Sequence, residues 1–525
     1  MKKIILATGL CFLLSNVFSQ SNDAATFASG ITVAELRKHL TIIASDEMEG
    51  RETGTEGQRR AAAYIESQFK SIGLGIPKGM FSYQQNYPLL QDSMVSSNLK
   101  TAEYTAVYEM DYIIPRSNTS GQFKSKAVVF AGYGIEDKNY NDYAELDVKD
   151  KLVIIVLGEP KIDNNYLVSG TGKSSEWTYP GLAKKISLAQ TKGAAGVLVI
   201  NPSQENFSPR MTAESRRSNL YYPREINDKK INFALITHAF AKKLLSNSFN
   251  SILKKATTSG IFVAADAWQK KMDVNYIYQK NTDTIFASNV IGIIEGSDKK
   301  DEYVFLTGHY DHLGKRNGKI YYGADDDGSG TVAVIQMAKA FASARAEGKG
   351  PRRTVVFMTV SGEEKGLWGS EYYSDHPVYP LEKTSVDLNT DMIGRIDTER
   401  KTADTLNYVY VVGHDKLSSE LPLINEATNS KFTGLVLDYK FDDPNDTERI
   451  YYRSDHYNFA RKGVPVLFFY DGMLQADYHK PTDTVDKINW LLYEKRTRMI
   501  FHTAWEIANR EEMLKRDKPL PTGTR

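Results

Sequence analysis

The stretch Thr307–Gly330, TGHYDHLGKRNGKIYYGADDDGSG, concentrates the side chains that hold metal ions. The apolar run Tyr303, Val304, Phe305 and Leu306 leads into it and reads as a buried strand. His309, Asp311 and His312 follow, then a short polar loop, then Asp325, Asp326 and Asp327. Gly328, Ser329 and Gly330 open an apolar-periodic segment that runs to Phe341 and predicts a helix. A strand end that hands imidazoles and carboxylates to a helix start suits a metal ion. The helix N-terminus also makes three adjacent acids tolerable. The competing reading is an acidic surface turn, where Asp and Gly are common.

Three later stretches carry the same chemistry. Glu363 and Glu364 follow the run Thr354–Val360 in SGEEKGLWGS. Adjacent glutamates at a strand end can divide the work, one on a metal and one moving protons. The alternative is an acidic pair at a helix start, stabilised by its dipole. Asp391 follows Ser385–Leu388 in NTDMIG, where a structural N-cap competes. His479 leads into a proline-containing loop in DYHKPTDT, where an ordinary surface histidine competes. Together the set offers two histidines, two aspartates and a glutamate, an inventory that suits two zinc ions sharing a carboxylate.

The elements around these residues alternate. From Ser288 on, apolar runs recur at Val290–Ile294, Tyr303–Leu306, Thr354–Val360, Ser385–Leu388, Tyr408–Val412 and Val464–Tyr470, with helical patterns between several of them and a closing helix over Tyr493–Asn509. This predicts an α/β/α architecture on a mixed sheet, whose ligands gather beyond the carboxyl ends of the strands. Thr32–Ile72 reads as two helices joined by the polar loop SDEMEGRETG. Near Asn98 the character changes to short β-rich runs: Tyr104–Met110, Ala127–Phe130 and Leu152–Leu157, then a helix over Ala183–Thr191 and a strand at Gly196–Asn201. Gly132-Tyr133-Gly134-Ile135, Asn141-Asp142-Tyr143 and Lys192-Gly193-Ala194-Ala195-Gly196-Val197 in this region resemble the protease-associated domain, a non-catalytic insert of several peptidase families. The segment holds no cluster of metal-ligand residues, in keeping with an accessory role. Ser169–Ser174 is not a phosphate loop, because that motif needs Gly where Leu167 stands. The expected organisation is a signal peptide at 1–20, an N-terminal part of the catalytic domain at 21–115, the β-rich insert at 116–272, and the rest of the catalytic domain at 273–525.

Composition excludes several classes. The chain has 525 residues, 41% hydrophobic and 25% charged, with a net charge of +1. The charges are interspersed, so no basic stripe points to nucleic acid. Lys2 and Lys3, the apolar core Ile4–Leu14 and Val17-Phe18-Ser19 read as a secretory signal. Cys11, the one cysteine, lies inside that segment, which removes disulfides, thiolate zinc sites and a cysteine nucleophile from the mature chain. No later run approaches about 18 apolar residues, so a soluble exported protein, periplasmic or extracellular, is expected. Oligomeric state is not written in the sequence. Asp442-Asp443-Pro444-Asn445-Asp446 reads as a solvated acidic turn, with a structural calcium as the alternative.

The ordered set His-x-Asp, Asp-Asp-Gly-Ser-Gly, Glu-Glu, Asp-Met-Ile-Gly and Tyr-His, with Glu49–Thr55 upstream, resembles the co-catalytic dizinc aminopeptidase family. That family includes secreted bacterial leucyl aminopeptidases and, more distantly, glutamate carboxypeptidase II. The resemblance implies a zinc exopeptidase fold and hydrolysis of N-terminal residues from peptides. It implies that Asp326, first of Asp-Asp-Gly-Ser-Gly, bridges two zincs. His309 and Asp391 would complete one ion, and Glu364 and His479 the other. Glu363 would be the general base, Asp311 would orient His309, Tyr478 would polarise the substrate carbonyl, and Arg453 would contact substrate. The alternatives are a carboxypeptidase or dipeptidase that reads a carboxylate with Arg449 or Arg453, a glutaminyl cyclase on a related fold, and a non-catalytic binding protein. A serine hydrolase is disfavoured by the lack of Gly-x-Ser-x-Gly. His39, His238, His376, His414 and His502 are expected to be packing or solvent residues. His312 and His456 are near enough in sequence to support the site indirectly.

Overall fold

The computed structural model describes residues 23–224, 230–258, 260–263 and 268–520; the expected signal segment at 1–20 lies outside them. The chain forms two compact units. One takes the chain up to Leu89 and again from Phe286, and the other takes Leu90–Ile285. The second unit is wider than the insert expected at 116–272. Leu99, Ala106, Tyr112 and Ile114 already belong to its core, so its hydrophobic boundary falls earlier than the motifs suggest.

In the first unit the strands lie in the order Val436–Asp438, Tyr408–Val412, Val466–Tyr470, Thr384–Thr390, Lys299–His309, Arg353–Val360 and residues 290–294. The middle four are parallel, and the pairings of Arg353–Val360 with 290–294 and of Tyr408–Val412 with Val466–Tyr470 are antiparallel. Side chains alternate across a sheet, so adjacent residues report its two faces. Phe305 packs on Tyr373 and Phe459, from the helices Trp368–Asp375 and His456–Ala460. Phe357 is paired with Leu306 and therefore points the other way, where it meets Phe341 of the helix Gly330–Ala346. Phe341 in turn packs on Phe501 and Trp505 of the helix Trp490–Asn509. Helices cover both faces, which is why these strands read as continuous apolar runs.

The second unit has its own sheet, with Gly121–Phe130, Leu152–Val156, Gly196–Ile200 and Phe233–Ile236 parallel and residues 268–278 antiparallel to the first. Successive residues of these strands enter different cores: Val128, Phe130 and Ile154 one, Val129, Val153 and Ile155 the other. The helices Leu182–Thr191, His238–Leu245 and Ser248–Thr257 accompany them, so the unit is α/β in character. The expected strand Tyr104–Met110 shrinks to Thr105–Ala106. The Asp111 carboxylate accepts from Val107 N–H at 2.8 Å and from the Tyr104 hydroxyl at 2.7 Å, and this closes the chain into a turn.

The N-terminal helices Val33–Ile43 and Glu56–Ile72 flank the loop that carries Arg51. Arg51 is fully buried. Its guanidinium donates to the carbonyls of Tyr310 (2.7 Å), Ile43 (2.7 Å), Tyr322 (2.8 Å) and Gly323 (2.8 Å). One side chain thus ties a helix end to both sides of the metal-ligand loop. Burial pushes the guanidinium down to about 10, opposed by the carboxylates of Asp311, Asp483, Asp326 and Asp327, so it stays charged at neutral pH. Arg51→Met leaves these carbonyls unpaired in the interior and should cost about 3 kcal/mol or more in denaturant unfolding. Arg51→Lys should recover only part, since an ammonium lacks the fork. A loss under about 1 kcal/mol in Arg51→Met would show that the staple is dispensable.

Candidate metal centre

The four parallel strands deliver the site. Their carboxyl ends release His309, the loop Ser361–Glu364, Asp391 and Asp471 next to one another. A fifth contribution comes from residues 324–329, just before the helix Gly330–Ala346.

Hydrogen bonds distinguish the three consecutive aspartates. The Asp327 carboxylate is saturated by main-chain donors: Gly330 N–H at 2.7 Å, His309 N–H at 3.0 Å and Met392 N–H at 3.1 Å. Gly330 is required there, because a Cβ would sit 2.4 Å from both Asp327 carboxylate oxygens and 2.1 Å from the Thr390 carbonyl. Asp325 accepts from Gly394 N–H at 2.8 Å and from Ser329 Oγ at 3.2 Å. Asp326 has no such donors, and its buried Oδ2 lacks any hydrogen-bond partner. Of the three it is the carboxylate that accepts from no main-chain amide or hydroxyl, although Asp325 Oδ2 is also without a partner. The Asp326–Asp327 peptide bond is cis.

Around Asp326 stand two imidazoles and two carboxylates. His309 Nε2 lies 3.4 Å from Asp326 Oδ1 and 3.5 Å from Asp391 Oδ1. His479 Nε2 lies 3.3 Å from Asp326 Oδ2 and 3.1 Å from Glu364 Oε2. His309 Nε2 and Glu364 Oε1 are buried and, like Asp326 Oδ2, have no hydrogen-bond partner. Buried polar atoms are rarely left so, and nitrogen and carboxylate donors converging at these distances fit metal ions such as zinc.

Asp311 differs from expectation in how it reaches His309. The Nδ1 contact is to the Asp311 carbonyl at 3.1 Å, while the carboxylate oxygen stands 3.7 Å away. An Nδ1–H donated to that carbonyl leaves the Nε2 lone pair for a metal. The Asp311 carboxylate instead accepts from Thr53 Oγ1 at 2.5 Å and from Glu363 N–H at 3.2 Å, which fixes the glutamate loop. Tyr478 stacks on His479 with ring centroids 3.8 Å apart, and its hydroxyl accepts from Arg453 at 3.2 Å. Glu363, Asp391, Arg453 and Tyr478 line one pocket with the apolar Met392, Ile450, Phe468 and Leu474.

The adjacent glutamates are driven apart. Burial pushes Glu363 well above the carboxylate range, with Glu364 and Asp391 adding and His309 opposing. Against burial and the Asp326 charge, His312 and His479 hold the Glu364 carboxyl down at about 2. Against burial, His309, His312 and His479 also hold Asp326 well below its ordinary value. Opposed by burial, Asp326 and Glu364 lift His479 to about 10. Asp391 and Glu363 lift His309 well above its usual range, again against burial.

The structure brings together His309, Asp311, Asp326, Glu363, Glu364, Asp391, Tyr478, His479 and Arg453, and it adds groups that sequence reasoning left aside. Asp483 accepts from the main-chain N–H groups of Asp325 (3.0 Å) and Asp326 (3.1 Å), which holds the acidic turn open toward the site. Arg395 anchors the loop before His479 through Asp477 at 2.9 Å. Asp455, buried behind the pocket, accepts from Ser370 Oγ at 2.5 Å and is raised by burial to about 7. Arg395 and Asp455 stand outside the stretches singled out above; Asp483 lies inside DYHKPTDT, four residues past His479, without being marked there as a site residue. His312 is fully buried with Nδ1 2.7 Å from Glu364 Oε1. His456 is a packing residue: it stacks on Phe468 and contacts the Tyr451 carbonyl through Nε2 at 2.9 Å. In the Asp442–Asp446 turn the carboxylates of Asp443 and Asp446 accept from the main-chain N–H groups of Asn445 and Ile450, and the Lys416 ammonium lies 2.8 Å from Asp442 Oδ1.

Comparison with known proteins agrees with this geometry. Residues 289–504 match the description of peptidase family M28, and residues 119–244 match that of the PA domain. The protein named "Probable leucine aminopeptidase" of Arthroderma otae is 27% identical over 226 residues, 42% of this chain and 57% of the relative. A "Probable zinc metalloprotease" of Pyrenophora tritici-repentis is 26% identical over 297 residues, 47% of this chain and 64% of the relative. The chain thus spans little more than half the length of the curated relatives it matches. Two solved structures share the fold: an aminopeptidase from Aneurinibacillus sp. strain AM-1 (TM-score 0.53, 17% identity, 93% of this chain and 97% of that one) and a zinc aminopeptidase from Bacillus subtilis (TM-score 0.51, 18% identity, 93% and 98%). The ligand-bearing strand ends lie inside the segment 289–504, which matches peptidase family M28, and the segment 119–244, which matches the PA domain, lies inside the second unit.

Proposed function

We propose that the protein is an exported dizinc aminopeptidase that removes residues from the N-termini of peptides. The observation that carries this reading is the Asp326 carboxylate, with Oδ1 3.4 Å from His309 Nε2 and Oδ2 3.3 Å from His479 Nε2. A carboxylate shared between two imidazoles, each beside a further carboxylate, is what two neighbouring ions require. His309 and Asp391 would hold one ion with Asp326, and Glu364 and His479 would hold the other.

Zinc bound there supplies a Lewis acid for the scissile carbonyl and lowers the pKa of water to roughly 7. The residues of the chain do the rest. Glu363 takes the proton of the attacking water and returns it to the departing amine. Its position is fixed by the Asp311 contact to its own N–H. The Tyr478 hydroxyl, aligned by Arg453, donates toward the developing oxyanion. Asp391 and Glu363 face the pocket and receive the substrate ammonium, while Met392, Ile450, Phe468 and Leu474 offer an apolar wall to the first side chain. Arg453 in the same pocket favours one second reading, a carboxypeptidase or dipeptidase in which it grips a substrate carboxylate. The export reading rests on Lys2, Lys3 and the apolar run Ile4–Leu14. Among the described residues no helix is long and apolar enough to cross a membrane.

Three measurements test this reading. The zinc-loaded protein should shorten peptides with free N-termini one residue at a time, leave N-acetylated copies intact and stop with a chelator, as read by mass spectrometry. Release from the opposite end would transfer the assignment to a carboxypeptidase. Glu363→Gln should retain its zinc and lose roughly 10²- to 10⁴-fold in kcat; near-normal turnover would remove Glu363 from the mechanism. Zinc uptake should release protons near pH 7. His309 and His479, lifted above their ordinary range, are protonated in the metal-free protein and must lose that proton to ligate. Apparent affinity should therefore rise with pH until His479 is neutral near about 10. Calorimetry in buffers of different ionisation enthalpy reads the released protons, and identical heats in all buffers would contradict the assignment.

A further inference from the structure

We infer that His312 is a protein ligand of the second metal, beside Asp326, Glu364 and His479. The inference rests on the two-metal reading above and concerns a residue outside the ligand set that the motifs supply. His312 is fully buried, and neither of its ring nitrogens has a hydrogen-bond partner. Three other buried imidazoles engage one nitrogen, His39 with the Tyr64 hydroxyl, His309 with the Asp311 carbonyl and His456 with the Tyr451 carbonyl, and His502, whose Nδ1 is unpartnered, stacks on Phe432 far from any of these carboxylates in sequence. An imidazole needs a partner at both nitrogens, one as donor and one as acceptor or metal ligand, and of the two here it is Nδ1 that faces the carboxylates and calls for a cation.

The position of the ring says what the occupant is. Nδ1 stands 2.7 Å from Glu364 Oε1 and 3.9 Å from Asp326 Oδ2, while His479 Nε2 stands 3.1 Å and 3.3 Å from oxygens of the same two carboxylates. Donors held about 2.0–2.2 Å from one zinc stand roughly 3–4 Å from one another; three of these four spacings lie in that range, and the fourth, His312 to Glu364 at 2.7 Å, would open slightly around an ion. The Glu364 oxygen facing His312 has no other partner, so this carboxylate oxygen and the imidazole are turned to each other alone.

The backbone is shaped around the ring. His312 N–H donates to the Arg51 carbonyl at 3.3 Å, and His312 forms an isolated bridge with Glu52. At Gly323, with φ of 54°, a Cβ would lie 2.5 Å from His312 Cγ and 2.2 Å from the Asp326 carbonyl. The Arg51 staple to the Gly323 carbonyl at 2.8 Å keeps that opening in place. With four donors the second ion is held more firmly than by His479, the most exposed of the set, on its own side of the carboxylates.

The test uses the wild-type protein, grown with ¹⁵N-histidine and loaded with two equivalents of ¹¹³Cd. All nine histidines lie beyond residue 20, and cadmium coupling marks each imidazole that ligates. Three coupled imidazoles, His309, His312 and His479, are expected. His312→Gln should remove one of them, keep the circular dichroism spectrum and weaken the second cadmium at least about 10- to 100-fold in a chelator titration. Two coupled imidazoles in the wild type would overturn the His312 assignment and leave the two-metal reading standing. No coupled imidazole would overturn both. Should the variant fail to fold, the wild-type count alone decides.

Discussion

The structure is organised around a surplus of buried negative charge. Asp311, Asp325, Asp326, Asp327, Glu363, Glu364, Asp391 and Asp455 all sit where little or no water reaches them. Desolvation and mutual repulsion oppose ionisation of such a group, and the interior cannot hold them all as bare anions. The fold sorts them by partner. Main-chain amides take Asp327 and part of Asp325, Thr53 and Glu363 N–H take Asp311, and Ser370 takes Asp455. Asp326 and Glu364 are left to the imidazoles. What remains after this sorting is a pair of carboxylates with nitrogen donors on both sides, a set that fits a metal ion such as zinc.

That sorting demands precise placement, and the placement comes from distant parts of the chain. Four parallel strands fix where the ligand loops leave the sheet. Arg51, some 260 residues earlier than the loop it staples, fixes how Tyr310, Tyr322 and Gly323 approach one another. The first unit is interrupted between Leu89 and Phe286 without losing its closure. The two sides of that interruption pair directly, through Ile291 N–H to the Tyr83 carbonyl at 2.7 Å and the bridge between Gly75 and Ile293. An insertion at a point where the chain ends already lie side by side adds little loop-closure cost to the host unit.

The strands and the acids that follow them were legible because both are local signals: an apolar run buried on two faces, then a polar residue at its carboxyl end. The alternation from Val290 to Tyr470 and the grouping of His309, Glu363, Glu364 and Asp391 follow from that rule. Other features depend on contacts that sequence order hides. Arg395 and Asp455 stand in no pattern, Asp483 stands unmarked inside DYHKPTDT, and their roles arise from whose amides or hydroxyls they meet. Asp326 is singled out in the sequence only by its place in a motif, whereas in space it is singled out by what its neighbours have already consumed. The run Tyr104–Met110 looked like a strand because periodicity does not register a carboxylate at Asp111 that folds the backbone back on itself. His312 was set aside as a neighbour of the motif, and only its burial with two unpartnered nitrogens changes its meaning.

Glu363 and Glu364 show how one loop makes two kinds of carboxylate from the same side chain. Both are buried, so desolvation raises both alike. The difference is direction. Glu364 points at His312 and His479, at 2.7 Å and 3.1 Å, and these two imidazoles outweigh burial. The closest imidazole to Glu363 is His309 at 3.8 Å, and Asp391 shares that imidazole at a shorter 3.5 Å. A partner already engaged elsewhere cannot offset the repulsion from Glu364 and Asp391, so Glu363 keeps its affinity for a proton. A carboxylate that binds protons readily, next to one that surrenders them and turns to a cation, is the separation a general base and a metal ligand each need. Placing the two on adjacent residues ties their separation to a single backbone path, held by the Asp311 contact at Glu363 N–H and by Thr53 Oγ1 at Gly362 N–H. The N-terminal segment, through Thr53, therefore bears on the site by fixing the orientation of one dipeptide.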